Sequence, residues 1–243
     1  MKPILETCFS PSLLHLYDLK DRIVVIIDVF RATSTMAAVL HHGAHAILPV
    51  ADVDECIRLG REIPNSITAG ERDGKVAPGL QYGNSPLEYP REFIEGKTMV
   101  LTTTNGTRLL HQCHAAEQII TGSFLNLGAV CEYLIQQQKN VLLACASWKD
   151  RYNLEDSLFA GAVYDQIGMH FRMNCDSTRA ATHLYRQAKS DLYGFIQDSS
   201  HFHRLSAYGL QYDMEYCCKV DQHNVLIQLQ EENGQSVLKV PAF

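Results

Sequence analysis

The sequence predicts an α/β protein in which helices cover both faces of a mostly parallel sheet, an α/β/α layered fold. Two observations support this: short apolar segments rich in β-branched residues alternate with segments of helical period, and no repeat or linker interrupts the alternation. The 243 residues, 46% hydrophobic and 20% charged, have the average make-up of a soluble globular protein and can bury a large core. We expect a single domain over residues 1–243 with a C-terminal extension. A separate subdomain over residues 169–243 is the alternative.

The predicted strands are short, apolar and bounded by polar residues or glycine. They cover residues 23–27, 46–50, 66–69, 98–101, 118–121 and 141–146. The segments between them carry apolar residues at helical spacing, several with Asp, Asn or Thr at the start as caps. These predicted helices cover residues 33–42, 52–63, 107–114, 125–137 and 154–167.

Two regions depart from this alternation. Residues 70–96 are dense in glycine and proline, which predicts a long ordered loop, and such loops are usually functional. After Gly168 the sequence predicts helices over residues 179–196 and 205–220. It also predicts a β-hairpin that pairs residues 224–229 with residues 236–240.

Composition excludes several classes of function. The net charge of −6 gives no basic surplus for nucleic acid. No apolar stretch is long enough for a membrane span, and the first residues lack the apolar core of a signal peptide, so we expect a cytoplasmic protein without a membrane partner. The eight cysteines lack the spacing of a disulfide framework, and the eleven histidines lack a zinc spacing. We interpret the cysteines as reduced core residues.

The end of the predicted strand 23–27 has the most informative polar residues. Asp28 follows the apolar segment directly, and Arg31 precedes the next helix. In open α/β sheets, ligands bind beyond the carboxyl ends of the strands. A carboxylate there can hold Mg²⁺ or act as a nucleophile, and an arginine can make bidentate contacts with phosphate oxygens. The alternative is structural, with Asp28 capping the helix and pairing with Arg31.

Three further strand ends are polar. Residues 102–107 read Thr-Thr-Thr-Asn-Gly-Thr, which is typical of an anion held by backbone N–H groups and equally of a capped tight turn. Glu71 could supply a second metal ligand, whereas the acidic pair Glu155-Asp156 also suits a helix N-terminus. In a parallel sheet these ends meet at one edge. Acids, hydroxyls, amides and arginine together there favour an anionic substrate with a divalent metal.

Six motifs occur in order over residues 23–225. They are Asp28-Val29-Phe30-Arg31-Ala32-Thr33-Ser34-Thr35, Gly70-Glu71-Arg72, Gly83-Asn84-Ser85-Pro86, Leu101-Thr102-Thr103-Thr104-Asn105-Gly106-Thr107-Arg108, Gly122-Ser123-Phe124-Leu125-Asn126 and Glu155-Asp156. In this order they resemble the 2-phosphosulfolactate phosphatase family. The resemblance implies a layered α/β fold and Mg²⁺-dependent hydrolysis of a phosphate monoester. The implied reaction converts 2-phospho-3-sulfolactate to 3-sulfolactate and phosphate in coenzyme M biosynthesis.

The motifs also suggest a role for each candidate residue. We expect Asp28, Arg31 and Glu71 to be catalytic, and Asp28, Glu71 and Asp156 to hold Mg²⁺ directly or through water. The attacking group is either water or Asp28. The expected substrate-binding residues supply donors to the anionic groups of the substrate. They are Arg72, Asn84, Ser85, Thr103, Thr104, Asn105, Gly106, Thr107 and Lys149.

Two other functions fit parts of this pattern. A haloacid-dehalogenase-like phosphatase also places an Asp at a strand end, but Phe30 occupies the position where that motif needs a second Asp as general acid. A non-catalytic module that binds an anionic metabolite would use the same loops without turnover. Apolar residues in the C-terminal third suggest a homodimer or a cover for the sheet. They are Phe195, Phe202, Tyr208, Leu210 and Tyr212.

Overall fold

The computed structural model describes residues 2–72, 74–232 and 234–241 and contains a mixed, mostly parallel sheet. Its strands are β1 (Ile4–Cys8), β2 (Arg22–Ile27), β3 (Ala46–Pro49), β4 (Ser66–Arg72), β5 (Lys75–Val76), β6 (Thr98–Thr102), β7 (Gln118–Gly122), β8 (Asn140–Cys145), β9 (Arg172–Met173), β10 (Ile227–Glu232) and β11 (Gln235–Lys239). Their spatial order is β5-β4-β6-β3-β11-β10-β7-β2-β8-β1-β9.

Helices connect most of these strands and form layers on the sheet. They are α1 (Ala32–His41), α2 (Val53–Glu62), α3 (Arg91–Ile94), α4 (Gly106–Gln112), α5 (Leu127–Gln137), α6 (Leu154–Ile167), α7 (Asp176–Ala188), α8 (Leu192–Ile196), α9 (Ser200–Ser206) and α10 (Gln211–Cys217). None of the helices in the described residues is both long and apolar enough to cross a bilayer.

The alternating side chains of β2 show that both faces of the sheet are covered. Ile23, Val25 and Ile27 belong to a buried cluster with residues of α5, α6 and α7. Val24 and Ile26 belong to a second cluster, which includes residues of α1 and α4. Because successive strand side chains point to opposite faces, a strand that is apolar throughout needs a helical layer on each side. The predicted α/β layered fold is therefore confirmed.

The sheet consists of two groups of parallel strands joined by the C-terminal hairpin. One group pairs β3, β6 and β4, and the other pairs β7, β2, β8, β1 and β9. Strand β10 is antiparallel to β7, β11 is antiparallel to β10, and β3 is antiparallel to β11. The strands of one group therefore run in the opposite direction to those of the other group. The hairpin pairs with β3 only through Leu238 and Ile47.

The predicted elements of the first 168 residues agree with the structure apart from their ends. All six predicted strands and all five predicted helices are present, with ends shifted by up to three residues. The predicted long loop over residues 70–96 contains the short elements β5 and α3. The prediction missed β1, whose segment includes the polar residues Glu6 and Thr7 and therefore lacks a continuous apolar run.

The two long C-terminal helices predicted from the sequence are wrong. The segment 179–196 is interrupted before Asp191, whose carboxylate accepts the Gly194 N–H and caps α8. The segment 205–220 is split between α9 and α10, with Gly209 at a φ of +78° between them. A cap and a left-handed glycine each end a helix that apolar periodicity alone would continue. The predicted hairpin is present as β10 and β11, with its first strand three residues later than predicted.

Candidate active site

A pocket with a cavity volume of about 80 Å³ lies where β2, β4, β6 and β8 end. Seven of the site residues predicted from the sequence line this pocket. They are Asp28, Arg31, Glu71, Asn84, Thr103, Thr104 and Asn105. These seven residues follow β2, β4 and β6, and Trp148 after β8 also lines the pocket.

The polar strand ends come together in a different way from the one predicted, because the sheet is not parallel throughout. β2 and β8 belong to one parallel group and β4 and β6 to the other. The start of α4 approaches the end of β2 so closely that a Cβ atom on Gly106 would lie 3.0 Å from Oδ2 of Asp28. Only a glycine accommodates this approach without a shift of its neighbours. The pocket thus lies between the two strand groups.

Asp28 lies at the base of the pocket with its carboxyl group largely buried. The pKa of Asp28 is raised to about 7, mainly because of burial, with the carboxylates of Glu71 and Glu155 also raising it. His201 and the Ala32 N–H lower the pKa by favouring the ionised form. Arg31 occupies the N-cap of α1 without a side-chain cap hydrogen bond, so the predicted capping by Asp28 is not observed in the described residues. An uncompensated carboxylate in this position favours a bound cation.

Asp156 supports Asp28 from outside the pocket lining. Its two carboxylate oxygens accept the backbone N–H groups of Val29 at 2.9 Å and Ser147 at 3.3 Å. Burial raises the pKa of Asp156 well above its ordinary value, and Glu155 and Asp28 add to the effect. The hydrogen bonds join the segments that follow β2 and β8. This geometry suits Asp156 to a positioning role, whereas the sequence predicted a metal ligand.

Arg31 is held by an acidic partner far along the chain. Its guanidinium forms a buried ion pair with Asp213 of α10, and Ser85 Oγ donates to the other Asp213 oxygen at 2.8 Å. The predicted structural pairing of Arg31 with Asp28 is therefore replaced by a pairing with Asp213. Because Asp213 fixes the guanidinium, Arg31 faces the pocket without a large loss of side-chain entropy on binding. Ser85 contributes to this network rather than to the pocket lining.

The threonine-rich loop after β6 uses several of its donors internally. The N–H and hydroxyl of Thr104 both donate to Oε1 of Glu71, at 3.0 and 2.9 Å. The Thr103 N–H donates to Thr107 Oγ1 at 3.3 Å, and the Thr107 N–H donates to Thr103 Oγ1 at 3.2 Å. The loop therefore combines the two interpretations of its sequence. It is a capped turn, and the side chains of Thr103, Thr104 and Asn105 still face the pocket.

Five predicted substrate-binding residues lie outside the pocket lining: Arg72, Ser85, Gly106, Thr107 and Lys149. Arg72 donates to the Glu71 carbonyl at 2.7 Å and to Thr102 Oγ1 at 3.2 Å, and it lines a neighbouring groove. Lys149 is exposed, with its ammonium nitrogen 4.8 Å from the ring centroid of Trp148. Gly106 and Thr107 shape the loop without lining the pocket. The structure thus places these residues around the site but not in it.

Sequence reasoning missed the contribution of α9, which brings His201, Arg204 and Leu205 into the pocket. The guanidinium carbon of Arg204 lies 3.6 Å from the ring centroid of Trp148, another pocket residue. Within the described residues, Nη2 of Arg204 is buried without a hydrogen-bond partner. An unpaired guanidinium donor beside a polar pocket suits an anionic group of a ligand.

The oxygen donors of the pocket fit a magnesium ion. Asp28 and Glu71 provide carboxylates, and in the part of the chain that the structure describes the buried Oδ1 of Asn84 has no hydrogen-bond partner. Mg²⁺ commonly takes one or two protein carboxylates and completes its coordination with water and substrate phosphate. Residues 2–72, 74–232 and 234–241 contain no group of three His, Cys, Asp or Glu side chains arranged to hold a metal. A site of two carboxylates with an amide oxygen satisfies both observations.

The fold and the pocket together define an α/β protein whose polar pocket, between two groups of parallel strands, combines carboxylates with arginines. The family model described as 2-phosphosulpholactate phosphatase matches residues 8–232, and the chain belongs to this family.

Curated proteins from several bacteria resemble the chain over most of its length. One from Thermotoga petrophila is 39% identical over 218 residues, which cover 90% of this chain and 92% of that protein. One from Caldanaerobacter subterraneus subsp. tengcongensis is 36% identical over 220 residues, 89% of this chain and 90% of that protein. One from Synechocystis is 38% identical over 208 residues, 83% of this chain and 86% of that protein. Each of the three carries the name "probable 2-phosphosulfolactate phosphatase".

Proposed function

We propose that the protein is a Mg²⁺-dependent phosphatase that hydrolyses 2-phospho-3-sulfolactate to 3-sulfolactate and inorganic phosphate. One observation carries the proposal. A single pocket brings the carboxylates of Asp28 and Glu71 together with the guanidinium groups of Arg31 and Arg204. Phosphate-ester hydrolysis needs a cation held by acids and fixed positive charge for the phosphoryl oxygens. Membership of the family and the names of its relatives support the particular substrate.

Asp28 and Glu71 would hold the ion, with Asn84 Oδ1 as an additional oxygen donor. Bound there, Mg²⁺ would neutralise negative charge on the phosphate oxygens. The positions of these donors are stabilised by other residues. Thr104 donates two hydrogen bonds to Glu71. Such hydrogen bonds fix the orientation of metal-binding carboxylates.

The phosphoryl group and the remaining anionic groups of the substrate would contact different donors. Arg31, fixed by Asp213, faces the phosphoryl position beside Asp28, while the Asn105 side chain lies at the start of α4. Arg204 lies against Trp148 and offers an unpaired donor. We assign the sulfonate to Arg204 because a second anionic group needs its own donor.

Asp28 can act in the attack on phosphorus in two ways. Its raised pKa, about 7, suits a base that accepts a proton from an attacking water. As a carboxylate it can also attack phosphorus directly and form an aspartyl phosphate. In both routes the fixed positive charge of Arg31 stabilises the oxygens of the transition state.

The decisive experiment measures phosphate release from purified protein with 2-phosphosulfolactate, 2-phospholactate and phosphoglycerates, each with Mg²⁺ and with EDTA. We expect Mg²⁺-dependent release that is fastest with 2-phosphosulfolactate. Release that is insensitive to EDTA would contradict the metal dependence. Equal rates with 2-phospholactate would contradict the role of the sulfonate, and no release from any of these esters would contradict the proposed reaction.

The two rival functions make different predictions in the same assay. A haloacid-dehalogenase-like enzyme requires an aspartyl phosphate on Asp28, so the absence of this intermediate in mass spectrometry after acid quenching would exclude that function, whereas its presence would identify Asp28 as the nucleophile. The aromatic side chain of Phe30 lines the pocket where that mechanism needs a second acid. A non-catalytic module would bind these compounds in calorimetry without releasing phosphate.

We also propose, as extensions of this function, that the protein acts in the cytoplasm in coenzyme M biosynthesis and forms a homodimer. Of the five apolar residues that suggested an interface, Tyr208 and Tyr212 are exposed, at 40% and 79%, while Phe202 is buried. Sedimentation velocity tests the dimer. A monomer at micromolar concentration would contradict it.

A further inference from the structure

A buried acid and a histidine, Glu155 and His201, form a pair at the edge of the pocket. Neither residue takes part in the proposed metal binding or in the attack on phosphorus. Nδ1 of His201 on α9 lies 2.5 Å from Oε1 of Glu155 on α6. Glu155 is fully buried, at 0% exposed, and among the described residues its second oxygen has no hydrogen-bond partner. Burying a carboxylate is costly unless a partner compensates for its charge. The imidazole of His201 is the partner that the structure provides.

The pairing determines which ring nitrogen of His201 faces the ligand. Glu155 engages Nδ1, and this contact favours a proton on that nitrogen. Nε2 lies on the opposite side of the ring, and His201 is a lining residue of the pocket. Within the described residues, Nε2 makes no hydrogen bond and is not among the buried unpartnered atoms. Nε2 is therefore the free ring nitrogen of a residue that lines the pocket together with Asp28.

Hydrolysis of a phosphate ester of an alcohol creates a need for a proton. When the ester P–O bond breaks, its electron pair stays on the alcohol oxygen, and an alkoxide is a poor leaving group in neutral solution. A positioned general acid removes this difficulty and contributes roughly 10²–10⁴-fold in rate. Neither Arg31 nor Arg204 can supply the proton, because a guanidinium remains protonated at the pH of the reaction.

We propose that His201 is the general acid that protonates the leaving alcohol oxygen, and that Glu155 is a positioning residue that orients its ring. The inference rests on the proposed phosphatase function. As the P–O bond breaks, the alcohol oxygen takes the proton from Nε2 and leaves as the neutral alcohol. The imidazole becomes neutral while Glu155 stays ionised. The water whose oxygen ends in the phosphate supplies the proton that recharges His201, so protons and charges balance over the cycle.

The contact between Glu155 and His201 resembles the acid–histidine contact of a catalytic triad. A buried carboxylate that accepts Nδ1–H fixes the tautomer and ring orientation and stabilises the imidazolium. Two further contacts limit rotation of the ring: Phe30 packs edge to face against it at a centroid distance of 6.1 Å, and α9 is anchored by Phe202 and Leu205 in the core. The nitrogen that donates the proton is therefore held in one direction.

The test compares two esters that differ in their need for a proton. The alcohol of 2-phosphosulfolactate requires protonation, whereas 4-nitrophenolate leaves without it. We expect His201→Gln to lower kcat for 2-phosphosulfolactate by about 100-fold or more, and kcat for 4-nitrophenyl phosphate by no more than about tenfold. Glu155→Gln should show the same preference with a smaller loss. His203→Gln, at an exposed position of the same helix, is the matched control and should leave both rates unchanged.

A second measurement uses His201→Gly with added imidazole. We expect imidazole to restore part of the turnover of 2-phosphosulfolactate, and to have no effect on His203→Gly. Equal losses on both esters in His201→Gln, or no rescue by imidazole in a His201→Gly protein with native circular dichroism, would overturn the inference. If the unaltered protein releases no phosphate from any ester, it is the proposed function that fails, so the two failures are distinguishable.

Discussion

At the residue scale, the chemistry of the site depends on carboxyl groups that burial and mutual repulsion make unusually basic. Asp28 has Glu71, Glu155 and Asp156 as acidic neighbours, and burial is the largest cause of the rise in its pKa. A bound cation would offset this repulsion. The site is therefore expected to bind Mg²⁺ more tightly as pH rises and these carboxyl groups ionise.

Replacing Asp28 tests its part in metal binding and attack. We expect Asp28→Asn to lower turnover by about 100-fold or more, because the amide can neither accept a proton nor balance the charge of the cation. Steady-state kinetics and Mg²⁺ titration by calorimetry are the measurements. Asp54→Asn, at an exposed position in the first turn of α2, is the control. Near-normal turnover of Asp28→Asn would contradict the assignment.

Arg204 is expected to determine how well the second anionic group is bound. Arg204→Lys keeps the charge but loses the planar contact with Trp148 and the fork of N–H donors. We expect KM for 2-phosphosulfolactate to rise about tenfold or more, with a smaller rise for 2-phospholactate, which has no sulfonate. Lys149→Met removes the cation on the exposed side of the same indole and should change KM little. A larger effect from Lys149→Met would reverse the assignment.

At the element scale, three imidazoles join the end of α1 to the segment after α10. The rings of His41 and His223 stack at 4.3 Å, and His42 lies 5.6 Å from His223. The Tyr216 hydroxyl lies 2.9 Å from Nε2 of His223, and within the described residues the buried Nδ1 has no partner. The pKa of His223 is lowered to about 4, mainly because of burial, with the two neighbouring histidines also lowering it. This contact is therefore built for neutral histidine.

The cluster predicts how stability changes with pH. Between about pH 6.5 and pH 4 the unfolded chain protonates position 223 and the folded chain does not, so the free energy of unfolding falls as pH decreases through this range. At pH 5 the loss relative to pH 7.5 is about 2 kcal/mol. Urea unfolding at the two pH values measures it.

Two variants separate His223 from the other histidines. His223→Gln should be less sensitive to pH than the unaltered protein, while His15→Gln, at an exposed position, should keep the original dependence. The same pH dependence in His223→Gln would contradict the role of this ring. His41 contributes in the same direction, because burial and His42 lower its pKa as well.

At the scale of the whole molecule, the C-terminal hairpin joins two groups of strands that build one pocket. β10 pairs with β7, and β11 meets β3 through Leu238, which is fully buried together with Ile227. A chain lacking residues 224–243 would expose the edges of β3 and β7 and part of the core. We expect such a chain to unfold without a cooperative transition or to aggregate, because unpaired strand edges promote association.

Circular dichroism and intrinsic fluorescence during thermal unfolding test this expectation. The control is Val240→Ala, which alters an exposed side chain near the end of the hairpin. The expectation is contradicted if both probes report the same cooperative transition in the truncated chain and phosphate release is intact. The two strand groups would then associate without the hairpin.

The strand and helix pattern of the first 168 residues could be predicted because it depends on local alternation of apolar and polar residues. The position of Asp28 after β2 and of the threonine loop after β6 follow from the same pattern. The internal hydrogen bonds of the threonine loop could not be predicted, because its residue types are typical of an anion site and equally of a capped turn. The helices after Gly168 were less predictable because a cap at Asp191 and the backbone of Gly209 interrupt their periodicity.

The sequence was sufficient to indicate the family, the layered fold and the acids at the strand ends. Each of these depends on residues that are close together in the chain. The partners of those residues come from elsewhere: Asp213 reaches Arg31 across 182 positions, and His201 reaches Glu155 across 46. Burial, pairing and pKa depend on such distant neighbours, which packing brings together and no local pattern records. For the same reason, only the tertiary structure shows that Asp156 accepts hydrogen bonds from backbone N–H groups, whereas Asp28 and Glu71 line the pocket.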